Sequence, residues 1–142
     1  MTEPRKPLEA RVLERLEAGE YTIGRIRGAA DGLRPAAREH FLTGLVGLPD
    51  VPERIKRGIC FLLGRHYVEQ KKPALARDSF IRSEDYGEGA KILARAGFHK
   101  EAADLHFSAS NFYEAAHHYR KAGLERHANE MLRLAEEARR TK

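Results

Sequence analysis

The chain has 142 residues and a formal net charge of +5, from 26 Lys and Arg against 21 Asp and Glu. At 42% hydrophobic and 33% charged, it is too apolar for a disordered chain and too charged for a membrane protein. No apolar run approaches the roughly 20 residues that span a bilayer, and the single cysteine, Cys60, excludes an internal disulfide framework.

Residues 1–6 read as a frayed tail. Pro7 suits the first turn of a helix, with Leu8, Val12, Leu13 and Leu16 as its apolar stripe and Gly19 as its end. The absence of an apolar signal segment and the lone cysteine set the expectation of a cytoplasmic protein. Arg exceeds Lys and Ala is abundant, a usage that points to a high-GC bacterial genome. A second helix is expected over 21–30, weakened by Gly24 and Gly28, since a helical Gly costs about 1 kcal/mol relative to Ala. A corner at 32–34 leads to a helix opened by Pro35 and carrying Phe41, Leu42, Leu45 and Val46. Pro49 and Pro52 interrupt it, and Asp50 is read as the N-cap of the next helix. That helix, over 52–70, buries Ile55, Ile59, Leu62, Leu63 and Tyr67; a turn at 71–73 returns the chain through a helix over 75–83. No stretch alternates with the period of a strand.

Residues 85–136 form a tandem repeat of about 13 residues: DYGEGAKILARAG, FHKEAADLHFSAS, NFYEAAHHYRKAG, LERHANEMLRLAE. Glu88, Glu101, Glu114 and His127 share a column, as do Gly89, Ala102, Ala115 and Ala128, and Ala96, Ala109, Ala122 and Ala135. Large residues at helical spacing (Ile92/Leu93, Leu105, Tyr119, Met131/Leu132) put an apolar face on each unit. Gly97, Ser110 and Gly123 close the units, where a left-handed residue ends a helix. A helix of about ten residues is marginal alone, so these must stack on one another. The last helix, from 125 to about 140, has the charged surface of a cap. The fold expected is all-α: a right-handed α-solenoid of antiparallel helical hairpins. It is one domain over 1–142, with N-terminal helices at 1–50, a hairpin at 51–84, and short-helix repeats with a capping helix at 85–142.

Residues 57–90 resemble a tetratricopeptide repeat, carried by Leu63-Gly64, Tyr67, Ala76, Phe80 and Ser83 at the motif's spacings; its usual terminal Pro is replaced by Glu88. Residues 85–136 look more like the short-helix repeats of coat and trafficking solenoids. The resemblance implies an α-solenoid that binds proteins and no catalysis. On that template the first helix of the hairpin lines the concave face with Phe61, Arg65, Val68 and Glu69. Repeat spacing then places Arg95 and Lys121 in line with Arg65, a basic ladder for an acidic segment or C-terminal carboxylate. The family variant that clamps chaperone C-termini uses Lys and Asn where Phe61 and Arg65 stand, so that partner is not implied. Phe112 and Tyr113 are adjacent on one helix and cannot both face inward, which marks a second contact point.

Other constellations read as structure. Seven histidines are present; His106 and His118 fall at inward columns of consecutive helices, but no compact metal motif is formed, and the set is read as packing with no metal or cofactor. The regular Glu88, Glu101 and Glu114 are explained by capping and the helix dipole. Cys60, in an apolar run, is read as a buried small hydrophobe. The expected function is a non-catalytic protein–protein interaction adaptor or scaffold, with self-association through its end helices open. The alternative is a nucleic-acid- or anion-binding regulator using Arg25, Arg27, Arg34 and Arg38, which the interleaving of acids and bases along the chain disfavours.

Overall fold

The computed structural model describes Arg11, Glu14 and residues 22–141. The tail and the stripe of the helix expected from Pro7 to Gly19 lie outside the described residues. The described residues hold eight α-helices and no strand. They are α1 (Ile23–Asp31), α2 (Pro35–Val46), α3 (Glu53–Glu69), α4 (Pro73–Ser83), α5 (Tyr86–Arg95), α6 (His99–Ser108), α7 (Phe112–Lys121) and α8 (Glu125–Arg140). Most of the packing joins neighbours in sequence, with α1 also touching α3, α3 touching α5 and α4 touching α6. Among the described residues, no helix is long and apolar enough to cross a membrane.

Local chemistry sets the first elements. Thr22 caps α1 by accepting from the Arg25 N–H. Pro35 sits at the start of α2 and Pro73 at the start of α4, where the missing N–H costs nothing. Asp50 does not cap α3: the N-cap is Pro52, with no side-chain bond. Arg38 closes the C-terminus of α1, its Nε donating to Ala30 O at 3.1 Å and its Nη2 to Leu33 O at 3.2 Å.

The hairpin α3–α4 packs around Phe80, which is fully buried. Leu63, Gly64, Tyr67, Ala76, Phe80 and Ser83 are all buried. A Cβ on Gly64 would sit 2.5 Å from Phe80 Cε1, and one on Gly89 would sit 2.7 Å from Phe80 Cγ and 2.9 Å from Leu105 Cδ1. Two glycines therefore lie close against one aromatic side chain, so Gly89 is the column's exception to Ala for a steric reason. Phe61 completes the cage, with its ring 5.4 Å from that of Phe80.

From Lys71 onward the backbone repeats every 13 residues. Lys71, Glu84, Gly97, Ser110 and Gly123 all have positive φ, between 57° and 88°. Each is followed by a residue with φ near −90 to −118° and ψ near 66–73°, then by the first residue of a helix. Four of the five corners share one hydrogen-bond pattern, in which the N–H three places after the helix donates back to the carbonyl five residues earlier. Thus Lys72 donates to Tyr67 O, Phe98 to Leu93 O, Asn111 to His106 O and Leu124 to Tyr119 O, at 2.8–2.9 Å. At the Glu84 corner a side chain intervenes: the Asp85 N–H donates to Ser83 Oγ, which itself donates to Phe80 O at 2.6 Å.

The register begins one helix earlier than the tandem repeat alone indicates. Ala76 joins Gly89, Ala102, Ala115 and Ala128 as a buried column, each closing the first turn of its helix. The second alanine column lies largely outside the core. Ala96 and Ala122 are exposed C-caps and Ala109 is a half-buried one; only Ala135, in the longer α8, lies in the core. The first-turn glutamates make no side-chain cap either, since none of α5–α8 has one. Their place is explained by the dipole alone.

Candidate functional site

One face of α3 is left partly open. Its side chains Arg57, Phe61, Arg65 and Val68 recur at helical spacing, and two clefts of about 340 Å³ each meet at Arg65. The first, toward α1, has Ile23, Phe61 and Leu62 as its apolar wall and Arg27 and Arg57 at its rim. The second, toward α5, joins Arg65, Val68 and Glu69 to Ile92, Arg95 and Ala96. Of the residues expected to form a groove, Phe61, Arg65, Glu69 and Arg95 therefore come together. Lys121 is exposed at the end of α7 and lines neither cleft.

The charges along this face are not equivalent. Glu69 is held by Arg38 at 3.0 Å and Arg57 by Glu84 at 2.9 Å. Arg27 lies 3.9 Å from Asp31. Arg65 and Arg95 have no ion-pair partner among the described residues. The four arginines of the charge-based alternative are also split. Arg38 is half-buried and committed to two carbonyls and Glu69, whereas Arg25 and Arg34 are exposed.

Phe112 and Tyr113 line a separate cleft of about 370 Å³ between the start of α7 and the end of α8, with Ala135, Ala138 and Arg139 opposite. Tyr113 is 53% exposed, Phe107 is 46% exposed, and Phe112 is half-buried with its ring 6.3 Å from that of Phe107.

Under the groove lies a polar cluster the sequence did not indicate. His66 on α3 is buried, and neither ring nitrogen has a hydrogen-bond partner among the described residues. Its Nε2 lies 3.8 Å from Glu39 Oε2, while Glu39 Oε1 accepts from the Tyr67 hydroxyl at 3.0 Å. Burial lowers the His66 pKa, against the pull of Glu39; burial and the bond to Glu39 raise that of Tyr67. Cys60 is buried and burial raises its thiol pKa, an environment that suppresses thiolate chemistry.

A second polar lattice ties α4, α6 and α7. Arg77 Nη1 donates to Asp104 Oδ2 at 2.8 Å and the Tyr119 hydroxyl to Asp104 Oδ1 at 2.5 Å. Beside it, His99 and His106 on α6 meet His118 on α7. The sequence pattern puts His106 and His118 at inward columns of consecutive helices; the contribution of His99 depends on a tertiary contact across 19 positions and has no local signal. Compared with known proteins, the chain matches no protein-family model, no curated protein and no solved structure.

Proposed function

We propose that the chain is a non-catalytic adaptor: a cytoplasmic, tetratricopeptide-like α-solenoid whose α3–α5 groove takes an acidic peptide segment. The observation that carries this reading is the pair Arg65 and Arg95, unpaired among the described residues and sharing one cleft with Val68 and Ile92. Free guanidinium groups above an apolar floor suit a carboxylate-bearing chain whose side chains alternate between charge and hydrocarbon. The recurrent 13-residue corner and neighbour-to-neighbour packing support a solenoid. The outer face of α8, where Arg133 bridges Glu130 and Glu137, has the polarity of an end cap. Commitment of Arg38 to the fold removes one of the four cations on which the nucleic-acid alternative depends.

The test uses a fluorescently labelled Glu-rich peptide with a free C-terminus, followed by anisotropy. Wild type and Lys121→Glu are expected to bind it, and Arg65→Glu/Arg95→Glu to lose it. Equal binding by the double variant would overturn the groove. Tighter binding of a DNA duplex, weakening steeply with salt, would favour the charge-based alternative instead.

A further inference from the structure

The 13-residue register exposes an anomaly at one junction. In the column of Phe80, Leu93, Tyr119 and Leu132 the α6 unit places His106. In the column of Ser79, Ile92, Leu105 and Met131 the α7 unit places His118. Most of those positions elsewhere are apolar and buried or half-buried. Both histidines are half-buried as well, so two imidazoles replace apolar packing at the same helix pair. Where a sequence departs from its own pattern without a packing gain, function is the usual reason.

The histidines are arranged, not scattered. The rings of His106 and His118 are parallel within 5°, with centroids 5.4 Å apart. His99 Nδ1 lies 3.2 Å from His118 Nδ1, a contact that can fix the orientation of the His118 ring. Glu114 is one turn before His118 on α7, at the i, i+4 spacing that puts two side chains on one helix face. One ligand atom each from His106, Glu114 and His118 falls within 4.8 Å of the others. No Lys or Arg among the described residues pairs with Glu114, although 26 cations are present in the chain.

We propose that His106, Glu114 and His118 form a binding site for a divalent transition-metal cation of the zinc type, with His99 as the residue that positions His118. Two imidazoles and a carboxylate are a donor set suited to zinc and its neighbours, and unsuited to calcium or magnesium, which take oxygen. A hydrogen-bonded neighbour that fixes ring orientation and tautomer is the usual companion of a metal-bound imidazole. Three protein ligands leave one tetrahedral position for water or an incoming donor. The cation ties α6 to α7 across the Ser110 corner.

The test is zinc chloride titration of the full chain by calorimetry, with helicity of every variant checked by circular dichroism. Wild type binds one zinc. His106→Ala and His118→Ala lose it, Glu114→Gln weakens it, and His99→Ala weakens it by about 10- to 100-fold. His117→Ala and His127→Ala bind as wild type does. A measurement on wild type alone guards against misfolded variants: zinc must shift the imidazole proton resonances of His106 and His118 in saturable, one-to-one fashion. Absence of binding would overturn the site. So would zinc affinity that survives loss of His106 and His118, or resonance shifts confined to His117 and His127.

Discussion

At the scale of single residues, the structure stores polar groups inside an apolar stack, and His66 is the sharpest case. Its ring is buried without a hydrogen bond among the described residues, so the charged form is penalised and the pKa lies below the ordinary 6.5. The groups around it are Glu39 and Arg38 from α2 and Tyr67, Glu69 and Arg65 from α3, with Asp31 at the end of α1. A histidine with a depressed folded pKa binds fewer protons folded than unfolded. Its contribution is neutral above the unfolded value and destabilising as pH falls through 6.5 toward the folded value. Thermal unfolding followed between about pH 7.5 and about pH 5, with a chelator present, should show wild type losing stability and His66→Leu losing less. Parallel curves would mean that His66 is not the source of the acid sensitivity. This cluster also marks where the sequence stops being informative. Leu63, Gly64, Tyr67, Ala76, Phe80 and Ser83 could be read because a local motif fixes their spacing. The Glu39–Tyr67 and Arg38–Glu69 bonds join residues 28 and 31 positions apart, and no local rule pairs them. The histidine columns were readable; their convergence with His99 and Glu114 required the angle between α6 and α7.

At the scale of elements, the unit of construction is the corner more than the helix. Five corners share a left-handed residue followed by one with ψ near 70°, yet only Gly97 and Gly123 are glycine. The left-handed conformation costs a residue with a Cβ about 1–2 kcal/mol, partly offset by the greater entropy glycine loses on folding. Lys71, Glu84 and Ser110 bear that strain, so the repeat is defined by the backbone conformation of its corners and not by glycine. Ser110→Gly should therefore stabilise the protein by about 0.5–1 kcal/mol, and Gly97→Ala should destabilise it by a comparable or larger amount, both read from urea unfolding midpoints. A stabilising Gly97→Ala would contradict the left-handed assignment. The same corners explain why the register is legible only from Asp85 onward: Glu84 carries no turn signature, and the corner at Lys71 is marked only by Pro73, two residues on.

At the scale of the molecule, the core is not of one quality. The buried cluster running from Ile26 to Leu105 is built from Phe, Leu, Ile, Val and Tyr with a few alanines. The cluster of α6–α8 is built from Ala103, Ala115, Ala116, Tyr119, Ala128 and Met131. An alanine removes far less apolar surface from water than a leucine or phenylalanine, so the second cluster is held by less burial. Helix α6 belongs to both, through Leu105 on one side and Ala103 on the other. Such a chain should open from its C-terminal end without global unfolding. Hydrogen exchange of the metal-free protein should show α7 and α8 amides exchanging at least about tenfold faster than the slowest in α3–α5, an opening free energy lower by about 1.4 kcal/mol. Because the proposed cation joins α6 to α7 in that weaker half, zinc should slow exchange in α7 and α8 while leaving α3 and α4 nearly unchanged. Uniform protection from α3 to α8 without metal would mean that the two clusters open as one. The absence of any zinc effect, with the gradient intact, would separate the packing argument, which would stand, from the metal site, which would fall.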